Sequence, residues 1–268
     1  MQQEWWKNLH KKMLGIKVFN MMSFNNFKNI FKSADKLIDI YFKVYSDAKG
    51  GDPDKTSPTL KKYHKILWNK PLPNGVIFEL SYRGNYLYHK SVLGEFYLGS
   101  DSITHSYGHH KRKQWLTHQI KNEVDELFEK GSTIGAYIIF PNKRIDGNHT
   151  INQARGINVL IDDRFDLTLE CIRLFYLGQT SPLYDTLLRY KNFFDLFENF
   201  SSYVHFFLLE DLVDENQKIK FYLPFDNFKT PPIFSVIEDY LLYKKGVMSF
   251  IRGRNERIEK YVKSIKKD

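Results

Sequence analysis

Apolar residues change period several times along this chain, and each change marks an element. In SPTLKKYHKILW, residues 57–68, Leu60, His64, Leu67 and Trp68 fall near one helical face, with Ser57 as the cap and Pro58 at the first helical position. Three aromatic-rich runs follow, VIFELSY, NYLYHKS and GEFYLGS, the first two separated by Arg83-Gly84; they predict an antiparallel meander. An amphipathic helix is expected over 114–129, with Leu116, Ile120, Val124 and Leu127 or Phe128 inward and Gly131 as its stop. GAYIIFP is then a short apolar strand. Residues 39–45 alternate Ile40, Phe42 and Val44 against Asp39, Tyr41 and Lys43, a strand period that runs into the turn-rich AKGGDPDKTSP.

The second half is more helical. Asp162 or Asp163 is the expected cap of a helix running to about Leu177, apolar almost all round and hence buried, with Gly178 just beyond it. SPLYDTLLRY, KNFFDLFENF and SYVHFFLLEDLV continue in helical or apolar character, and IKFYLPF reads as one more strand. A long helix over 232–265 closes the chain, apolar at Ile237, Leu241, Met248, Ile251, Ile258, Val262 and Ile265, with polar breaks at Lys244 and Asn255. No regular strand-helix-strand rhythm and no nucleotide-type glycine turn accompany these elements. The pattern therefore predicts the α+β class, an antiparallel sheet core packed by several helices, with a long C-terminal helix. Residues 1–37, whose apolar phase is irregular, read as a basic N-terminal arm, and 38–268 as a single domain ending in a basic helix.

Composition supports a large core: 268 residues, 42% hydrophobic and 16% aromatic. The lone Cys171, inside an apolar helical pattern, provides neither a disulfide framework nor a cysteine metal cluster, which points to a cytoplasmic setting. No run approaches the roughly 18 apolar residues of a membrane span, and MLGIKVFNMM lacks a small-residue cleavage site, so neither a span nor secretion is expected. The net charge of +9 divides unevenly: +5 over residues 1–33, +6 over 244–268 and −2 between. Such ends suit phosphates as partners, RNA above all, although Lys-rich ends are more often solvated faces.

Candidate chemistry falls in three places. His105, His109 and His110 near Asp101 invite a metal reading, yet no HExxH-type spacing fixes them on one face and the adjoining KRK opposes a cation, so no metal is expected. YHKS and SDS lie on neighbouring strands of the meander. There His89 is a candidate general base, Ser91 or Ser102 a nucleophile or positioning group, and Lys90 a phosphate or carboxylate contact, although alternation puts Lys90 on the opposite face from His89 and Ser91. The third place is FPNKRIDGNHTINQARGINVLIDDRFDLTLECIRLFYLG, which inserts Arg144, Asp146, Asn152, Arg155, Arg164, Glu170 and Arg173 into an otherwise apolar stretch. Arginines with amides suit planar anions, making Arg144, Asn152, Arg155 and Arg164 candidate ligand contacts and Glu170 a candidate catalytic carboxylate. The competing account is an internal ion-pair network among Arg164, Asp166, Glu170 and Arg173, at spacings of three and four residues along a helix. No cofactor motif is present.

GGDPDKTSPTLKKYHKILWNKPLPNG, YLYHKSVLGEFYLGSDSI, RIDGNHTINQARG, DRFDLTLECIRLFYLG and SPLYDTLLRY together resemble a family of uncharacterised bacterial proteins, a domain of unknown function, over about residues 38–262. The resemblance implies a bacterial source and a single domain, and it carries no established activity. Three functions compete: a toxin- or defence-like protein that binds or processes RNA or another phosphate-bearing ligand, a non-enzymatic protein-interaction module, and a small-molecule nucleotide or sugar transferase or hydrolase. If phosphate contacts reside on the ends, deleting residues 1–33 will shallow the salt dependence of single-stranded RNA binding in gel-shift titrations; equal slopes for the full and shortened chains exclude that role for the arm.

Overall fold

The sheet is a four-stranded meander, β1 (Ser81–Arg83), β2 (Tyr86–Ser91), β3 (Gly94–Ser102) and β4 (Tyr137–Pro141), antiparallel throughout and adjacent in chain order, although of VIFELSY only Ser81 and Tyr82 join it and Ile77 forms an isolated bridge with Pro71. This computed structural model describes residues 38–104, 119–232 and 234–264. Gly84-Asn85 turns β1 into β2, and Gly84 holds a φ of 61°, a left-handed conformation that glycine adopts without a Cβ penalty. Strand alternation puts Leu87, His89, Phe96, Leu98 and Ser100 on the buried face. On the other face Tyr97 meets Tyr86 and Tyr88 edge-on, and the Arg83 guanidinium lies over the Tyr88 and Tyr97 rings.

Among the described residues the helices are α1 (Pro53–Thr56), α2 (Pro58–Trp68), α3 (Lys121–Gly131), α4 (Ile151–Ile157), α5 (Phe165–Tyr176), α6 (Tyr184–Arg189), α7 (Lys191–Asp195), α8 (Phe200–Phe206) and α9 (Ile237–Ser264). The fold is α+β, with a long C-terminal helix, and one apolar cluster runs through it from Ile40 to Val262. Ser57 caps α2 through Leu60 N–H, as its sequence position predicts. Gly178 follows α5 with a φ of 68°, and Gln179 N–H closes the helix end on the Leu174 carbonyl.

Several expectations fail for local reasons. Residues 39–45 form no strand: Asp39 accepts the amides of Tyr41 and Phe42, and a 3₁₀ turn (Val44–Asp47) follows. Asp39 thus competes with a ladder for the backbone donors. IKFYLPF likewise contributes only an isolated bridge, Val213 to Ile219, because Tyr222 N–H is spent on the Asp166 carboxylate and Pro224 has no donor to give. The cap of α5 is Arg164, without a side-chain bond, since Asp162 and Asp163 both hold positive φ one turn earlier. TINQARG, which carries no helical expectation, forms α4 behind a capping box between Thr150 and Gln153.

The last helix begins later than its sequence pattern suggests, and its buried stripe is rotated. Tyr240, Tyr243, Val247, Phe250, Ile251, Arg254, Asn255, Ile258 and Val262 face inward, whereas Leu241 is 40% exposed. Two polar residues anchor the stripe. The Arg254 guanidinium, 0% exposed, donates to the carbonyls of Phe207 (3.0 and 3.2 Å), Gly135 (2.9 Å) and Tyr137 (2.9 Å) and lies over the Trp68 ring. Asn255 accepts Gly135 N–H at 2.8 Å and donates to Thr133. Arg254→Ala leaves those carbonyls without their donor in the core and should cost on the order of 3–5 kcal/mol in urea denaturation. Gly135→Ala should cost about 1–3 kcal/mol, because a Cβ there meets Asn255 Oδ1 at 2.6 Å and the Ile251 carbonyl at 2.7 Å.

Candidate functional site

Arg155, Arg164 and Arg173 sit against carboxylates. Arg155 is buried and donates to Asp101 (2.8 Å), the Asp163 carbonyl (2.8 Å) and Thr168 (3.2 Å), with the Asp163 carboxylate at 3.0 Å. Arg164 makes a forked pair with Asp166, and Arg173 one with Glu170 at 2.7 and 2.8 Å. Arg144 is exposed and donates to Gln153 at 3.1 Å. Asn152 is half-buried, and its Oδ1 accepts no bond among the described residues. Arg164 borders a groove of about 220 Å³, whose other charged lining residues, Asp226 and Asp239, favour no anion. Asp54, half-buried beside Ser100, has its carboxyl pushed up to about 8 by burial, with the Asp101 charge adding to the effect.

The meander residues stand apart from this network. His89 packs between Phe78 and Phe96, its Nδ1 3.0 Å from the Glu79 carbonyl, and burial lowers its imidazole below the ordinary value. Ser91 accepts Leu93 N–H, and exposed Lys90 pairs with Glu95 at 3.5 Å. No described hydrogen bond or ion pair joins His89, Lys90 or Ser91 to Arg155, Arg164 or Glu170. His105, His109 and His110 lie outside the described residues.

The arrangement with the most chemical capacity lies elsewhere. A groove of about 540 Å³ opens between the loop after α2 (Lys70, Pro71, Leu72 and Pro73), the outer side of α8 (Ser201, Ser202, His205 and Phe206), Leu208, and Tyr261 of α9. Lys70 lines it although the residue is only 6% exposed. Its Nζ lies over the rings of Phe206 (4.6 Å), Tyr261 (4.6 Å) and Trp68 (5.1 Å), and no described residue accepts a hydrogen bond from it or pairs with its charge. Burial lowers the amine from 10.5 to about 7; Glu210 opposes the shift and Arg254 adds to it. Across the groove the exposed His205 ring has Nδ1 3.0 Å from Glu210.

Residues 38–258 match the model of a family of unknown function, DUF6994. The chain belongs to this family. No curated protein and no solved structure matches the chain. The DUF6994 match begins where the sequence pattern separates arm from domain and includes the groove except for Tyr261.

Sequence reasoning did not nominate Lys70. A lysine after a helix, within NKPLPNG, has the signature of a solvated turn; the one faint signal is its place next to Trp68. What buries it is tertiary, the return of Phe206 and Tyr261 from far along the chain. Among the described residues, the DUF6994 chain has no helix long and apolar enough to cross a membrane.

The two forked pairs on α5 differ in burial, and that sets an order of costs. Arg164 and Asp166 expose 2% and 0% of their side chains, and Asp166 also holds Tyr222 N–H; Arg173 exposes 23% of its own. Asp166→Ala should therefore lose on the order of 3–5 kcal/mol, and Glu170→Gln under about 2 kcal/mol, since Arg173 reaches water. Urea midpoints of the two variants check this order; a Glu170→Gln loss equal to that of Asp166→Ala would show that Arg173 cannot rehydrate.

Proposed function

We propose that the protein binds a small anionic ligand, bearing a phosphate or carboxylate, in the groove lined by Lys70. The observation that carries this reading is the Lys70 amine itself, nine-tenths buried and facing a groove without a hydrogen-bond acceptor or a directly paired carboxylate among the described residues, Glu210 acting on it only at longer range. Leaving an ammonium so placed costs several kcal/mol, and the aromatic faces around it offset only part of that. A ligand oxyanion offsets the rest. Ser201 and Ser202 offer hydroxyls on the same groove, and the apolar Leu72, Leu208 and Phe206 restrict what accompanies the anion. The ligand class falls within two of the functions the sequence suggests, a phosphate-bearing ligand and a nucleotide or sugar. A bacterial, cytoplasmic protein with a single buried cysteine fits the same proposal.

RNA binding by the chain ends is a second reading, favoured by the +5 and +6 at the two termini. On α9 part of that charge is already engaged: Lys244 with Glu123 and Glu126, Arg257 with Glu210 and Asp211, Lys263 with Glu259. The weight of that reading moves to residues 1–33.

Inorganic phosphate and pyruvate, each against chloride at equal ionic strength, should raise Tm by several degrees when near saturation. Lys70→Met should abolish the rise. An anion binds the protonated amine, so the rise should be larger at pH 6 than at pH 9. The variant carries a second signature. Because the folded amine sits near 7 rather than 10.5, the unfolded chain holds more protons between those values, so wild-type stability climbs with pH across that window and is lowest below it. Lys70→Met lacks that slope and should be the more stable protein at pH 7. No Tm rise with either anion at pH 6 overturns the proposal.

A further inference from the structure

The same amine has a capacity beyond ion pairing, and it rests on the groove being a ligand site. We infer that Lys70 is a nucleophile that condenses with the aldehyde or ketone carbonyl of its anionic ligand to form an imine. A lysine is inert in this chemistry when it is protonated or when its lone pair is held by a hydrogen bond. Lys70 has no hydrogen-bond partner among the described residues, and the amine is pressed against Trp68, Phe206 and Tyr261. Burial holds close to half of it neutral at pH 7, where an ordinary lysine is neutral to less than about one part in a thousand.

The atoms balance without a further reagent. The Nζ lone pair attacks the carbonyl carbon, a C–N bond forms, and the carbonyl oxygen takes up a proton to give a carbinolamine. That hydroxyl leaves as water once protonated, and the nitrogen retains one hydrogen as the protonated imine. The aromatic wall keeps bulk water from the new C=N bond. His205 lines the same groove and is the group placed to pass the protons: Glu210, a hydrogen-bond acceptor, engages Nδ1–H, which leaves Nε2 as the basic nitrogen of the neutral ring. The ligand's carboxylate or phosphate then falls to the hydroxyls of Ser201 and Ser202.

The inference is tested on the full chain with glyoxylate, an aldehyde that carries a carboxylate. After brief incubation at a series of pH values, borohydride reduces any imine to a stable carboxymethyl-lysine, and peptide mapping locates it. Labelling of Lys70 should exceed that of other lysines by at least about tenfold at pH 7. It should rise through pH 7 and level off once the amine is neutral, while ordinary lysines continue to gain reactivity above pH 9. Inorganic phosphate, which cannot condense, should compete with it. His205→Asn should slow trapping; an unaltered rate removes His205 from the step. If Lys70 is labelled no faster than exposed lysines while phosphate still raises Tm in a Lys70-dependent way, the covalent step is overturned and the anion site stands. If neither occurs, both fall.

Discussion

The guanidinium of Arg254 is the constraint on which the rest of the interior depends. Three carbonyls from two distant segments, Phe207 at the end of α8 and Gly135 and Tyr137 at the entry to β4, converge on one buried cation. Each carbonyl would otherwise enter an apolar core without a partner. Asn255, one residue on, takes up Gly135 N–H and Thr133, so a single turn of the C-terminal helix sets where β4, an edge strand of the sheet, begins. That strand pairs with β3, on which β2 and then β1 follow. A cation satisfied wholly by backbone oxygens pays with charge burial, and its guanidinium is held down near 10 by that burial.

Two ways of burying a positive charge are therefore present together. The arginines around α4 and α5 follow the familiar one: Arg155 has Asp101 and Asp163, Arg164 has Asp166, and Arg173 has Glu170. The planar forks of Arg164 and Arg173 meet their carboxylates two atoms at a time. Lys70 has neither carboxylate nor carbonyl, only ring faces. The difference tells scaffold from candidate site better than residue type does, because in the segment richest in arginine and amide the charges of Arg155, Arg164 and Arg173 are answered from within.

How much was legible follows from where each interaction originates. The meander, the capped helix α2, the buried α5 with Gly178 after it, and the long final helix were readable because alternation, capping and glycine placement are local. The spurious strand at 39–45 arose because Asp39 captures the Tyr41 and Phe42 amides, an option that period counting does not see. IKFYLPF was misread because the donor of Tyr222 goes to a carboxylate some 56 residues earlier in the chain. The ion-pair alternative for Glu170 and Arg173 was readable from their spacing; the partners of Arg155 were not, since Asp101 arrives from β3. Lys70 was illegible for the same reason on a larger scale: its environment is assembled from Trp68, Phe206 and Tyr261.

Trp68 gives these pieces a common point. Its indole N–H is tied to His64, a histidine that burial and Arg254 hold to about 3 and hence neutral, and its ring lies within about 6 Å of both Arg254 and Lys70. Two cations thus lean on one aromatic plate, and the Glu210 carboxylate acts on both from a distance without pairing directly with either. An oxyanion seated at Lys70 would act on both. The occupant of the groove would then be a tenant of the core as much as a guest on the surface.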